Sequence, residues 1–163
     1  MSFKKYLPQF VYGSIDGTVT TFAVVAGVSG AALSPVIILI LGIANVLADG
    51  FSMASSNYLS ERSKDGHIHL DALKTSVATF LAFVIVGIVP ILPYLIEFNI
   101  FNLNISTFQI SCIFTGITFL CIGFTRGYVT GENRIISSTE TVLIGGVAAA
   151  ISYYVGFFIK ALV

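Results

Sequence analysis

The sequence contains no tryptophan, only two cysteines, and just 8 basic and 8 acidic side chains among its 163 residues. Charged residues make up 10% of the chain, against roughly one quarter in a soluble domain, so an ordinary water-facing surface cannot be built from them. Cys112 and Cys121 lie in one apolar run and offer no disulfide framework, nor do they report on a redox compartment. Their separation along one helix keeps them from chelating a metal together, and they read as small packing residues. The formal net charge is zero and no basic run is present, which excludes nucleic acid as a partner, because phosphate recognition needs clustered Lys and Arg. The polar start, Met1 to Gln9, is not followed by a short apolar core with a small-residue cleavage pattern, so no cleaved leader is expected. Internal repeats and low-complexity tracts are also missing.

What the chain does have is oil. Hydrophobic residues make up 56% of it and mean hydropathy is +0.95. At roughly 20 residues per membrane crossing, this length accommodates about five spans with short links and no large extramembrane domain. Five apolar stretches meet that need: residues 10–33, 35–59, 73–96, 107–125 and 141–163. Each is expected to be a helix, because a backbone in hydrocarbon must satisfy its hydrogen bonds within the segment. The expected fold is therefore an all-α integral membrane domain of five transmembrane helices. The breaks fall at Gly30 to Pro35, at the charged Ser60 to Asp71, at Glu97 to Ser106 with its three Asn residues, and at Gly127 to Glu140. Lys4, Lys5, Arg62, Lys64, Lys74, Arg126 and Arg134 gather on one side, and Lys160 stands alone on the other. The positive-inside rule then puts the N-terminus in the cytoplasm and the C-terminus outside or in a lumen.

Within the spans, acids are the informative residues. A carboxylate at mid-membrane costs roughly 2.5 to 3.5 kcal/mol on insertion scales, so such a group is a functional candidate by default. Asp16 lies about 9 Å, and Asp49 about 14 Å, from the cytoplasmic ends of their spans at 1.5 Å per residue. Since the first two spans run antiparallel, both acids fall in one layer of the inner leaflet. Neither span supplies a Lys or Arg to neutralise them. Each must be protonated, hydrogen-bonded in a wet cavity, or facing a mobile cation. Asn45, Asp49 and Met53, spaced four apart, set an amide, a carboxylate and a thioether on one helix face, bordered by Ser52 and Ser56. Oxygen ligands alone accept any divalent ion, whereas a thioether favours later transition metals, which points to transported Fe²⁺ or Mn²⁺. Plainer roles exist for each: Met53 as core filler, Asn45 as an interhelical hydrogen-bonder, and Asp16 as the cap of a helix break between Gly13 and Gly17.

Several runs resemble the vacuolar iron transporter family. They are Gly13-Ser-Ile-Asp16-Gly17 with Phe22 to Gly30, Gly42 to Met53 with Asn57-Tyr-Leu-Ser-Glu61, Gly87 to Tyr94, Gly123 to Gly127, and Thr141 to Ala148. The likeness covers nearly the whole chain. It implies a homodimer of five-helix protomers that exports Fe²⁺, and often Mn²⁺, from the cytosol in exchange for protons, with no permanently bound cofactor. It also implies that Asp16 and Met53 line an ion path at the dimer interface. Two departures stand out. Asn45 occupies the place of a usual glutamate, with an acid one turn on at Asp49, and the long glutamate-rich cytoplasmic helices between spans two and three are missing, as in the family's short branch.

In their place stands Glu61 to Asp71, where Glu61, His67 and His69 form either a weak metal-collecting site or a solvated loop. Glu140 is expected at the start of span five, where a carboxylate suits a helix N-terminus, with an entry role as second choice. Pro90 and Pro93 are candidate hinges for alternating access, or else an ordinary kink. Glycine pairs Gly13/Gly17 and Gly127/Gly131 permit close helix approach, the first pair at a dimer seam. The expected partners are metal ions, membrane lipid and a second copy, and the membrane is a prokaryotic plasma membrane or a vacuolar one. Two other classes compete. An intramembrane aspartyl enzyme would need the two acids to share a proton, and no nucleophile pair or phosphate-cradling loop supports it. A small cation or multidrug channel would favour aromatic lining, yet Ser and Met flank Asp49.

Overall fold

The computed structural model describes residues 6–63, 69–97 and 106–163. Helix α1 (Leu7–Gly30) is followed by α2 (Pro35–Arg62), α3 (His69–Gly87), a 3₁₀ turn (Val89–Ile91), α4 (Leu92–Glu97), α5 (Thr107–Thr130) and α6 (Arg134–Leu162). Five helical units, with α3, the turn and α4 counted as one from Leu70 to Ile96, are long and apolar enough to cross a bilayer. No strand occurs among the described residues. Ile40, Ile85, Leu143, Ile151 and Phe158 are all exposed, while Thr18, Thr21, Thr79 and Thr115 are fully buried. That inversion of a water-soluble interior is what a lipid-facing bundle requires, since oil outside removes the drive to hide oil within.

The central element is α1, which packs on α2, α3, α5 and α6. Its inward face is small and polar, and Thr18 Oγ1 donates to the Ser14 carbonyl at 2.8 Å. A Cβ on Gly17 would come within 2.6 Å of the Phe83 carbonyl oxygen, and one on Gly13 within 2.7 Å of that of Thr79. The Gly13/Gly17 pair therefore seats α3 inside the protomer and does not form a seam between protomers, contrary to the sequence expectation. Small residues let the backbones close, and the hydrogens of glycine are the only ones that fit.

On α2, only Ile38, Gly42, Val46 and Gly50 are buried, a single stripe at four-residue spacing that leaves most of the helix surface open. Ser34 caps its start ahead of Pro35, the position where a missing amide costs nothing. Pro90 splits the third span: the regular helix ends at Gly87, and the Pro90 carbonyl is held by the Ser111 hydroxyl at 2.6 Å. Both Pro90 and Pro93 are buried.

The expected loop from Gly127 to Glu140 shrinks to residues 131–133, because α5 continues to Thr130 and α6 begins at Arg134. Asn133 caps α6, its Oδ1 accepting from the amide of Ile135 at 3.0 Å, and Gly131 turns the chain with φ +77°. Gly131 is thus a turn residue, and the helix-packing pair is Gly123 with Gly127, set against the backbone of Ser138 and Arg134. Polar composition hid these turns, which extend each helix past the hydrocarbon.

Candidate metal site

Asp16 is half-buried on α1 and Asp49 is exposed on α2. Their carboxylates lie within electrostatic range of each other, as the antiparallel arrangement requires. Among the described residues no cation or hydrogen-bond donor reaches either side chain. Asn45, Asp49 and Met53 each stand next to the buried stripe of α2, about 100° round from it, and so line the flank of α2 beside α1. The Asn45 Nδ2 is buried without an acceptor. Ser52, exposed, faces the same open side.

Towards the end of α2, Met53 lines a cleft of about 420 Å³ with Pro8, Gln9, Tyr12, Ser56, Asn57 and Ser60. The Gln9 Oε1 is buried without a donor, and the Asn57 amide is anchored by its Nδ2 donating to Thr79 Oγ1 at 2.6 Å. The cleft joins the thioether to neutral oxygens, and the carboxylates lie one and two turns further along the same pair of helices. Sequence reading missed Gln9, Tyr12, Asn57 and Ser60. The signal was available, since Asn57 continues the four-residue spacing of Asn45, Asp49 and Met53.

The other expected residues are not brought to this place. Glu61 lies in the last turns of α2, about 18 Å beyond Asp49 at 1.5 Å per residue. His67 lies outside the described residues, as does the side chain of His69. Glu140 is the seventh residue of α6, past the first turn where the helix dipole acts, and pairs with Arg126 at 3.3 Å on the far side of α1 from the acids' flank. That ion pair replaces the expected helix-terminus role. Among the described residues no three His, Cys, Asp or Glu side chains cluster.

Chemically, the arrangement gathers carboxylates, amides, hydroxyls and one thioether in an apolar helix bundle, open at one flank. Together with five helical units long and apolar enough to cross a bilayer, this defines an integral membrane protein. A profile of the VIT family matches residues 7–71 and 65–157, and the chain belongs to that family. It is 24% identical to the Vacuolar iron transporter of Plasmodium berghei (strain Anka) over 227 aligned positions, covering 96% of this chain and 83% of the relative. It is 22% identical to Vacuolar iron transporter 1 of Arabidopsis thaliana, covering 89% and 82%. A shorter stretch is 39% identical to the Vacuolar iron transporter of Plasmodium falciparum (isolate 3D7), covering 37% and 22%. The alignment with the P. berghei protein runs over more positions than this chain has residues, so that relative carries segments with no counterpart here. The two matched pieces of the family profile overlap at residues 65–71. The chain is a metal-ion transporter of this family, not an enzyme.

Proposed function

We propose that the protein moves Fe²⁺, and Mn²⁺ with lower preference, out of the cytosol in exchange for protons, along a path between two copies of the chain. The observation that carries this reading is the exposure of Asp49 on the α1–α2 flank without a partner among the described residues. An uncompensated charge facing hydrocarbon costs roughly 2.5 to 3.5 kcal/mol, which a second protomer covering the α1–α2 flank would remove. In such a dimer, two Asp16–Asp49 pairs face one cavity and a divalent cation offsets their repulsion.

The cation enters through the cleft at Gln9, Tyr12, Met53 and Asn57. There it exchanges part of its water for neutral oxygens and sulfur, then passes to Asp49, Asn45 and Asp16. The sulfur favours Fe²⁺ over the harder Mg²⁺ and Ca²⁺. A carboxylate cannot hold a metal and a proton at once, so the departing metal leaves an oxygen that takes a proton from the far side. Pro90 and Pro93 supply the fixed bend against which α1 and α2 move. The names of the relatives support iron as cargo, and the basic-residue asymmetry supports a cytoplasmic N-terminus.

Proteoliposomes containing a pH-sensitive dye test this proposal. Fe²⁺ uptake accompanied by opposite proton movement, and lost in Asp49→Ala, supports it. Proton leak without metal dependence would instead favour the channel reading.

A further inference from the structure

At the other side of the bundle, α5 and α6 meet along Gly123 and Gly127, against Arg134, Ser137 and Ser138. One residue on from this seam, about 100° round each helix, the two surfaces diverge into an apolar groove of about 590 Å³. Leu120, Cys121 and Phe124 of α5 and Ile135, Ser138 and Thr139 of α6 line it. At its mouth the Arg134 guanidinium lies 5.2 Å from the centres of both the Phe124 and Tyr128 rings. Two aromatic faces fix this cation in place without neutralising it. Among the described residues no carboxylate pairs with Arg134.

Arg126 provides the contrast. It sits one residue before the seam glycine Gly127, hence on the opposite flank, and is occupied by Glu140 at 3.3 Å and Glu132 at 3.6 Å. Every carboxylate at this end of the two helices is thereby drawn to the flank away from the groove. The groove flank is left with one fixed, unpaired positive charge above an oily channel at the level where α6 leaves the hydrocarbon.

We infer that this groove is a binding site for an anionic phospholipid, its phosphate on Arg134 and an acyl chain along Leu120, Cys121 and Phe124. Charge complementarity selects the headgroup: a net negative one meets Arg134 with no acid beside it. The Ser138 and Thr139 hydroxyls already donate to the Leu120 and Ile135 carbonyls, so they lend a polar collar at glycerol depth without demanding a partner. Basic side chains near a bilayer surface each attract anionic lipid modestly, and a positioned one adds selectivity to that attraction. The site is independent of the metal path, which lies on the α1–α2 flank.

Native mass spectrometry of the purified protein, titrated with phosphatidylglycerol or phosphatidylcholine, tests the inference. Wild type should retain phosphatidylglycerol preferentially, and Arg134→Gln should lower that affinity about fivefold, the effect of one surface charge, with phosphatidylcholine unchanged. Arg126→Gln should leave both lipids within twofold. Leu120→Trp fills the groove while keeping the charge, and should also reduce phosphatidylglycerol adducts, which keeps the test available if Arg134→Gln does not assemble. Equal phosphatidylglycerol affinity in wild type and either groove variant, or an equal loss in Arg126→Gln, would overturn the site.

Discussion

Replacing Asn45 by leucine separates function from stability at one position. The side chain's Nδ2 is buried and has no acceptor, and a buried donor left unmade costs about 1–3 kcal/mol. Leucine has nearly the same volume, sits at the edge of the buried stripe of α2, and brings no polar group to bury. If the amide is kept for the travelling ion, Asn45→Leu removes that cost and stabilises the protein by about 1 kcal/mol, a rise in melting temperature of about 2–4 °C for a chain of this size. The same change removes one oxygen from the proposed ion path, so Fe²⁺ uptake per folded molecule falls several-fold. Thermal unfolding in detergent, followed by far-ultraviolet circular dichroism, reads the first effect, and uptake into proteoliposomes reads the second. A variant that melts earlier than wild type, with uptake unchanged, would exclude a cargo role for Asn45. It would mean that Asn45 holds a neighbouring helix, not a cargo.

Other consequences follow from the packing and the donor set. Gly17→Val forces α1 off α3, because its first added carbon meets the Phe83 carbonyl oxygen at 2.6 Å. It should cost about 1–3 kcal/mol and lower the monodisperse yield in detergent. Met53→Leu keeps the shape and deletes the sulfur, so uptake of Fe²⁺ should fall relative to Mn²⁺ in a competition assay, with total folded protein unchanged. Ser111→Ala removes the hydroxyl that holds the Pro90 carbonyl and should destabilise the protein by about 1 kcal/mol, measured by thermal unfolding.

Much of the architecture was legible because hydrocarbon imposes strict rules. Five apolar runs could only become helices, and their inner portions fall where composition put them. The ends were harder to read. Ser137, Ser138 and Thr139 look like loop residues, yet they are helical because Asn133 caps them and the Gly123–Gly127 face of α5 accepts them. Which glycines serve which contact was equally hidden, since Gly13, Gly17, Gly127 and Gly131 share one spacing, and only the three-dimensional neighbours separate an α3 seat from a turn. For the candidate site, the sequence pointed to Asp16 and Asp49 through the cost of a carboxylate within the membrane, and to Asn45 and Met53 through their four-residue spacing on either side of Asp49. It did not point to Gln9 and Tyr12, whose cleft forms only when the first turns of α1 meet the last turns of α2. Glu140 misled because its place in α6 depends on a helix start that polar residues concealed.

On the proposed mechanism, the Asp16 and Asp49 carboxylates have no partner among the described residues because a passing divalent cation is their partner. Anaerobic equilibrium binding of Fe²⁺ to the purified protein addresses it directly, comparing wild type with the Asp16→Asn/Asp49→Asn double variant at matched helix content. Saturable binding in wild type, reduced by at least tenfold in the double variant, is the predicted result. Undiminished binding after both charges are removed would contradict the account.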